Sequence, residues 1–219
     1  MSTTAPTTTL RFESIPSGVI ECVGTLIWNE ATRSAVVIDA TDDPTPFLDL
    51  VKDRGLTLKA LLLTHAHFDH AAGTESVAQA TGLVPRLHRD DWGLYAAMPE
   101  WGMRYGIEVE PRTIAPQDLS DCEVLDIEDG FRLEVLHTPG HTPGQVAFHV
   151  AALGLVVVGD TLFFGSVGRT DFPGGSMEQL QRSIRTKLYA LPDETVVVPG
   201  HGPRTTIGRE KRTNPYVKG

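Results

Sequence analysis

This 219-residue sequence has only two cysteines, no long apolar run and no excess of basic residues. Two widely separated thiols, Cys22 and Cys122, exclude a disulfide-rich secreted scaffold and favour reduced cysteines in a cytoplasmic protein. No apolar run approaches the roughly 18 residues that a transmembrane helix needs. The net charge of −9 argues against nucleic acid as a partner. We therefore expect neither a membrane nor a nucleic-acid partner, and the histidines become the informative residues.

The first nine residues lack both the basic start and the apolar stretch of a signal peptide. We expect residues 1–9 to form a disordered tail. The remaining length suits one compact domain with a sizeable core. Residues 10–219 are therefore predicted to form a single domain, acting as a monomer or a small homo-oligomer on a small-molecule substrate.

Five of the eight histidines fall in three short motifs, Thr64–His70, Thr138–His141 and Pro199–Gly202, and a fourth motif is Gly159–Thr161. Together these motifs supply His65, His67, Asp69, His70, His141, Asp160 and His201. Imidazoles with a few carboxylates and no thiolate suit zinc, iron or manganese. Seven such groups are too many for one tetrahedral ion and suit two ions that share a bridge. Neither cysteine lies in a ligand motif.

Apolar segments before the motifs predict strands over residues 58–63, 131–136, 155–158 and 195–198. Each ligand motif would then follow the end of a strand, where ligand sites of α/β proteins lie. Residues 71–81 and 176–191 are predicted to be helices. The stretch from Met98 to Tyr105 is apolar without clear periodicity, and we expect an irregular loop there. It either packs as ordinary structure or covers the site, with Trp101 and Tyr105 in contact with substrate.

The order of these motifs resembles that of the metallo-β-lactamase superfamily. The stretches Gly159–Phe163 and Gly168–Phe172 resemble its glyoxalase II and persulfide dioxygenase branches. The segment from Pro199–Pro203 through Asn214–Pro215 resembles short bacterial glyoxalase II-like hydrolases. The resemblance implies an α/β protein with an αββα sandwich, in which two mixed β-sheets face each other, helices cover the outer faces and metals bind at one edge.

The resemblance also implies a role for each candidate ligand. One metal would take His65, His67 and His141, and the other would take Asp69, His70 and His201. Asp160 would bridge the two metals together with a hydroxide that attacks a carbonyl carbon. Asp69 is in addition the candidate catalytic residue, because it could orient that hydroxide.

Two further positions carry alternatives. Asp39 resembles the family's aspartate that holds the histidine loop by hydrogen bonds, and its alternative role is a plain turn at a strand end. Arg169 either forms an ion pair with Asp171 that braces its loop or contacts the substrate.

The leading hypothesis is hydrolysis of a hydroxyacylglutathione thioester such as S-lactoylglutathione, with two divalent ions, most simply zinc, with iron or manganese as alternatives. Another thioester or an ester remains an alternative substrate. The second hypothesis is a mononuclear iron persulfide dioxygenase that uses His65, His141 and Asp160. A lactonase is third. A metal-free binding module is the hypothesis from outside enzymology, and the complete ligand set argues against it.

Overall fold

A computed structural model describes residues 9–104 and 106–219 of the chain. Its strands are β1 (Leu10–Ser17), β2 (Cys22–Asn29), β3 (Ser34–Ile38), β4 (Thr57–Leu62), β5 (Val124–Glu128), β6 (Phe131–His137), β7 (Val146–Val150), β8 (Leu155–Gly159), β9 (Leu162–Phe163), β10 (Ser166–Val167), β11 (Val196–Pro199) and β12 (Thr205–Thr206). Its α-helices are α1 (Thr45–Asp53), α2 (Phe68–Ala71), α3 (Thr74–Thr81), α4 (Trp92–Ala96), α5 (Met98–Arg104), α6 (Met177–Ser183) and α7 (Ile207–Thr213).

The strands form two mixed sheets and a small hairpin. The first sheet has the order β1-β2-β3-β4, in which only β3 and β4 are parallel. The second has the order β12-β11-β8-β7-β6-β5, in which only β8 and β11 are parallel. Strands β9 and β10 pair with each other alone.

Alternating side chains on the strands separate an inner core from two outer layers. In β3, Val36 and Ile38 join the cluster between the sheets, while Ala35 and Val37 point to the other side and pack with Phe47 of α1. A third cluster packs the second sheet against α6 and α7. Helix α1, the two sheets, and the pair of helices α6 and α7 form four layers, which is the αββα sandwich that the resemblance implies. The predicted fold class is therefore confirmed.

Several local predictions need correction. The segment expected to be an irregular loop is the helix α5, Met98–Arg104. The helix predicted over residues 71–81 begins earlier and is divided by Gly73 into α2 and α3. Tyr105 lies outside the described residues, as do residues 1–8, so the predicted tail stays a prediction. Among the helices of the described residues, none is long and apolar enough to cross a membrane.

Candidate metal centre

Strand ends bring most of the predicted ligands to one place. Strands β6, β8 and β11 run in the same direction, so their carboxyl ends share one edge of the second sheet. His141 lies in the loop after β6, Asp160 directly follows β8, and His201 follows β11. His65 follows β4 of the facing sheet. The seven predicted ligands therefore converge where the edges of the two sheets meet.

The first group of ligands is the three-histidine cluster, defined as His65, His67 and His141. The His67 Nδ1 atom lies 3.1 Å from His65 Nε2 and 2.9 Å from His141 Nε2. The second ring nitrogens of His65 and His141 also have polar partners. His65 Nδ1 lies 3.1 Å from Thr64 Oγ1, and His141 Nδ1 lies 2.7 Å from the Arg169 carbonyl oxygen. When His65 Nδ1 and His141 Nδ1 donate their protons to these oxygens, the Nε2 atoms of both rings keep free lone pairs. These lone pairs and that of His67 Nδ1 point to one place.

The second group is the mixed cluster, defined as Asp69, His70 and His201. Asp69 Oδ2 lies 3.1 Å from His201 Nε2 and 3.5 Å from His70 Nε2. Helix α2 carries both Asp69 and His70, so one short turn of chain supplies two of the three groups.

Asp160 stands between the two clusters. Its Oδ1 lies 3.3 Å from His70 Nε2, and its Oδ2 lies 3.5 Å from His141 Nε2. The loop that carries His201 can come this close only because residue 200 is glycine, since a Cβ atom at Gly200 would stand 2.3 Å from Asp160 Oδ1. Asp160 Oδ2 also lies 3.9 Å from His201 Nε2, so this carboxylate is close to histidines of both clusters.

The buried atoms of this site fit a pair of cations. His70 Nε2 and Asp160 Oδ1 are buried without a hydrogen-bond partner, although burying a polar atom without a partner costs stability. A cation between them would supply the missing partner. The nitrogen and oxygen donors suit zinc, iron or manganese, and the seven groups fit two ions that share the Asp160 carboxylate.

Electrostatics puts most of these groups in the ionisation state that binds metal. Burial and the imidazole of His141 lower the pKa of His67 to about 3. Burial would raise the pKa of Asp160, but the imidazoles of His70 and His141 outweigh it and hold that pKa below its ordinary value. His70 and His201 differ, because nearby groups outweigh the effect of burial and raise their pKa values. Cys22, Asp69 and Asp160 raise the pKa of His70, and Asp69 and Asp160 raise that of His201. Without a cation, a proton on His70 partly neutralises the two carboxylates.

Asp39 positions His70 of the mixed cluster through a contact with the His70 nitrogen that faces away from the candidate metal position. Its carboxylate accepts hydrogen bonds from the Thr64 backbone N–H and hydroxyl, both at 2.7 Å, and it lies 2.9 Å from His70 Nδ1. It is 1% exposed, and its backbone has a φ of 58°, in the left-handed region. Asp39 therefore fixes the start of the histidine loop and turns Nε2 of His70 toward the site, which a plain strand-end turn would not do.

Asp91 is a buried residue of this site that the sequence did not reveal. Its carboxylate accepts hydrogen bonds from Ala66 N at 3.1 Å, Thr142 Oγ1 at 2.8 Å and Gly144 N at 2.6 Å. These partners belong to the two loops that carry the three-histidine cluster. The partners are mostly backbone groups, which leave no sequence motif. Only the Asp-Asp pair at the start of a helix could have drawn attention, and such pairs are usually solvated.

Cys22 is the second residue that the motifs did not reveal. It begins β2, is fully buried, and its Sγ lies within 4.8 Å of the ligand atoms of Asp69, His70 and His201. Burial raises the pKa of its thiol to about 12. Cys122 is exposed. Cys22 thus lies beside the mixed cluster although it belongs to none of the four sequence motifs.

A cavity of about 530 Å³ opens over the two clusters. Helix α5 contributes Met98 and Trp101 to its wall. The other apolar walls are formed by Ile20, Phe68, Leu94, Phe163, Val167, Phe172 and Pro173. Trp101 thus lies where the sequence placed a substrate contact, on a helix instead of a loop.

Arg169 also lines this cavity. Its Nε and Nη2 atoms donate to the two Asp171 oxygens at 2.9 and 2.8 Å, and its guanidinium lies 4.4 Å from the centre of the Phe172 ring. Phe172 in turn contacts the rings of His67 and His141 edge-on. Arg169 therefore combines the ion pair with Asp171 and a position in the cavity wall, and its contact with substrate stays a prediction.

Comparisons with known proteins identify the family and the fold. A model of the metallo-β-lactamase superfamily matches residues 18–201. The hydroxyacylglutathione hydrolase GloC of Haemophilus influenzae is 37% identical over 95% of this chain and 98% of its own length. Among solved structures, the BLEG-1 B3 metallo-β-lactamase superposes with a TM-score of 0.88 at 34% identity, covering 95% of this chain and 100% of its own. The di-iron-bound form of TTHA1623 superposes with a TM-score of 0.85 at 38% identity, covering 94% and 100%.

Proposed function

The chain belongs to the metallo-β-lactamase superfamily and is a metallo-hydrolase, and we propose that it hydrolyses thioesters of the hydroxyacylglutathione type, such as S-lactoylglutathione, with two divalent ions. The observation that carries the proposal is the position of Asp160. Its Oδ1 lies 3.3 Å from His70 Nε2 of the mixed cluster, and its Oδ2 lies 3.5 Å from His141 Nε2 of the three-histidine cluster and 3.9 Å from His201 Nε2 of the mixed cluster. Asp160 also lines the cavity. GloC, a relative that matches nearly this whole chain, is named for this reaction.

Each group of residues has a separate role in the proposed reaction. The three-histidine cluster would hold one ion, the mixed cluster would hold the other, and Asp160 would bridge them. Two such ions would lower the pKa of a shared water toward neutrality and polarise the carbonyl oxygen of a bound thioester. Asp69 orients the attacking water by accepting a hydrogen bond from it, which aims the oxygen at the carbonyl carbon.

The leaving group and the cavity favour a thioester. A thiolate is stable enough to depart without a proton, so the reaction requires no general acid. The apolar wall around Trp101 excludes water from the acyl and thiol portions. Arg169 at the rim presents a guanidinium to a substrate carboxylate, which S-lactoylglutathione carries.

The test is a hydrolysis assay on natively purified protein with measured metal content. We expect loss of the thioester absorbance of S-lactoylglutathione and release of one thiol per thioester, without oxygen uptake. An Asp160→Ala variant should be inactive, while Asp126→Ala, which removes an exposed carboxylate on strand β5, should behave as the wild type. Intact S-lactoylglutathione after incubation with the zinc-, iron- or manganese-loaded protein would contradict the proposal.

A persulfide dioxygenase is the second candidate, and it is supported by the identity of the metal in the similar structure of TTHA1623, which is iron, bound there as a pair. In that case one iron would bind His65, His141 and Asp160. Oxygen consumption with glutathione persulfide by the iron-loaded protein, together with no thioester hydrolysis, would select this candidate.

A further inference from the structure

Cys22 lies beside the mixed cluster and is not among the residues that line the cavity. The Val23 backbone N–H donates to the Gly200 carbonyl oxygen at 2.7 Å, which ties the start of β2 to the loop that presents His201. Cys22 itself is 0% exposed. The backbone therefore holds its Sγ beside Asp69, His70 and His201, with all four ligand atoms within 4.8 Å of one another.

A second observation points to a ligand at the same place. His70 Nε2 is fully enclosed and makes no hydrogen bond, and the nearest carboxylate oxygens, Asp160 Oδ1 and Asp69 Oδ2, lie 3.3 and 3.5 Å from it. Zinc bonds of about 2.0–2.3 Å place neighbouring ligand atoms roughly 3.3–3.7 Å apart. Small side-chain rotations would bring the four groups of this pocket onto one ion, and Sγ would approach that ion from the protein interior.

We propose that Cys22 is a further ligand of the ion in the mixed cluster, and that its thiolate biases this position toward zinc and away from manganese. The proposal rests on the two-ion centre of the proposed function. On binding, the Sγ–H bond breaks, the proton passes to solvent and the sulfur lone pair forms the bond to the ion. A soft sulfur ligand favours zinc over the harder manganese ion, whereas the three-histidine cluster offers nitrogen alone.

The chain offers a clean test because Cys22 and Cys122 are its only cysteines. Metal-stripped protein is reloaded with cobalt(II) to two ions per chain by elemental analysis, and its near-ultraviolet spectrum is recorded. Thiolate ligands give cobalt(II) an intense charge-transfer band there, which imidazoles and carboxylates do not. We expect the band in the wild type and in Cys122→Ser, and its loss in Cys22→Ser.

The Cys122→Ser variant keeps the proposal testable even if Cys22→Ser fails to fold, since any sulfur signal in it must come from Cys22. X-ray absorption of zinc-loaded Cys122→Ser should likewise show a sulfur neighbour at about 2.3 Å. In titrations, Cys22→Ser should lose about 10–100-fold in zinc affinity at one site, in the range seen when groups around a metal are removed, with little change for manganese.

The outcomes separate this proposal from the proposed function. Two bound ions with active thioester hydrolysis but no sulfur signal would overturn the role of Cys22 and leave the function standing. A sulfur signal in a protein that leaves every thioester intact would support Cys22 and overturn the function. Fewer than two ions without a sulfur signal would overturn both.

Discussion

The three-histidine cluster and the mixed cluster sit side by side, but each is braced by a different kind of contact. Asp91 reaches only backbone groups and a hydroxyl of the loops around the three-histidine cluster. Asp39 contacts a ligand of the mixed cluster directly, through His70 Nδ1. Bracing a loop fixes where a ligand stands, whereas bonding to its ring also fixes the tautomer and raises its basicity. Replacing Asp39 and replacing Asp91 should therefore have different effects on metal affinity and on stability.

Asp160→Ala should have the largest effect, because it removes the one side chain that both clusters share. We expect loss of both ions and a fall in kcat/KM of at least about 1000-fold, roughly 4 kcal/mol of transition-state stabilisation. Elemental analysis after gel filtration and a thioester assay measure the two effects. A variant that keeps either ion at wild-type affinity would show that the clusters bind metal independently, and the bridging role would be wrong.

Asp39→Asn should act chiefly on the mixed cluster, because Asp39 contacts His70 directly and reaches His65 only through Thr64. Asp39 accepts from three donors, and an amide at this position turns an NH₂ group toward at least one of them. We expect the mixed cluster to lose about 10–100-fold in metal affinity, while the three-histidine cluster keeps its ion. Competitive titration with a chromogenic chelator resolves the two sites. An equal loss of metal affinity at both clusters would show that Asp39, like Asp91, acts by fixing loops and not through His70.

Asp91→Asn is the matched variant for the other cluster. An amide keeps only one acceptor oxygen, so its NH₂ group faces either Gly144 N or both Ala66 N and Thr142 Oγ1. We expect the free energy of unfolding to fall by about 1–3 kcal/mol, with metal affinity reduced several-fold at the three-histidine cluster only. Denaturant unfolding and the same chelator titration provide the measurements. A lower metal affinity at the mixed cluster as well would show that Asp91 also supports the loops that carry the mixed cluster.

The contrast between Asp39 and Asp91 also shows what the sequence could predict. The convergence of the seven candidate ligands was predictable because their motifs are local and follow apolar strands, and Asp39 was singled out by the family resemblance at the end of one such strand. Asp91 and Cys22 were not predictable, because tertiary packing brings them to the site. Helix α5 was missed for a similar reason. It contains Pro99 and Gly102, which are poor helix formers, and Gly102 permits close packing against Val109.

Trp101→Ala should affect catalysis without affecting either cluster. The indole belongs to the cavity wall on α5 and contacts no ligand; the Arg104 guanidinium lies 4.6 Å from its ring centre. Loss of this wall should lower kcat/KM about tenfold, close to 1.4 kcal/mol, with both ions retained. Trp92→Ala is the matched control, since Trp92 is 41% exposed and is not among the residues that line the cavity. Wild-type kinetics in a folded, metal-replete Trp101→Ala protein would show that this wall does not contact substrate, and that the two clusters and their bracing aspartates account for the activity without α5.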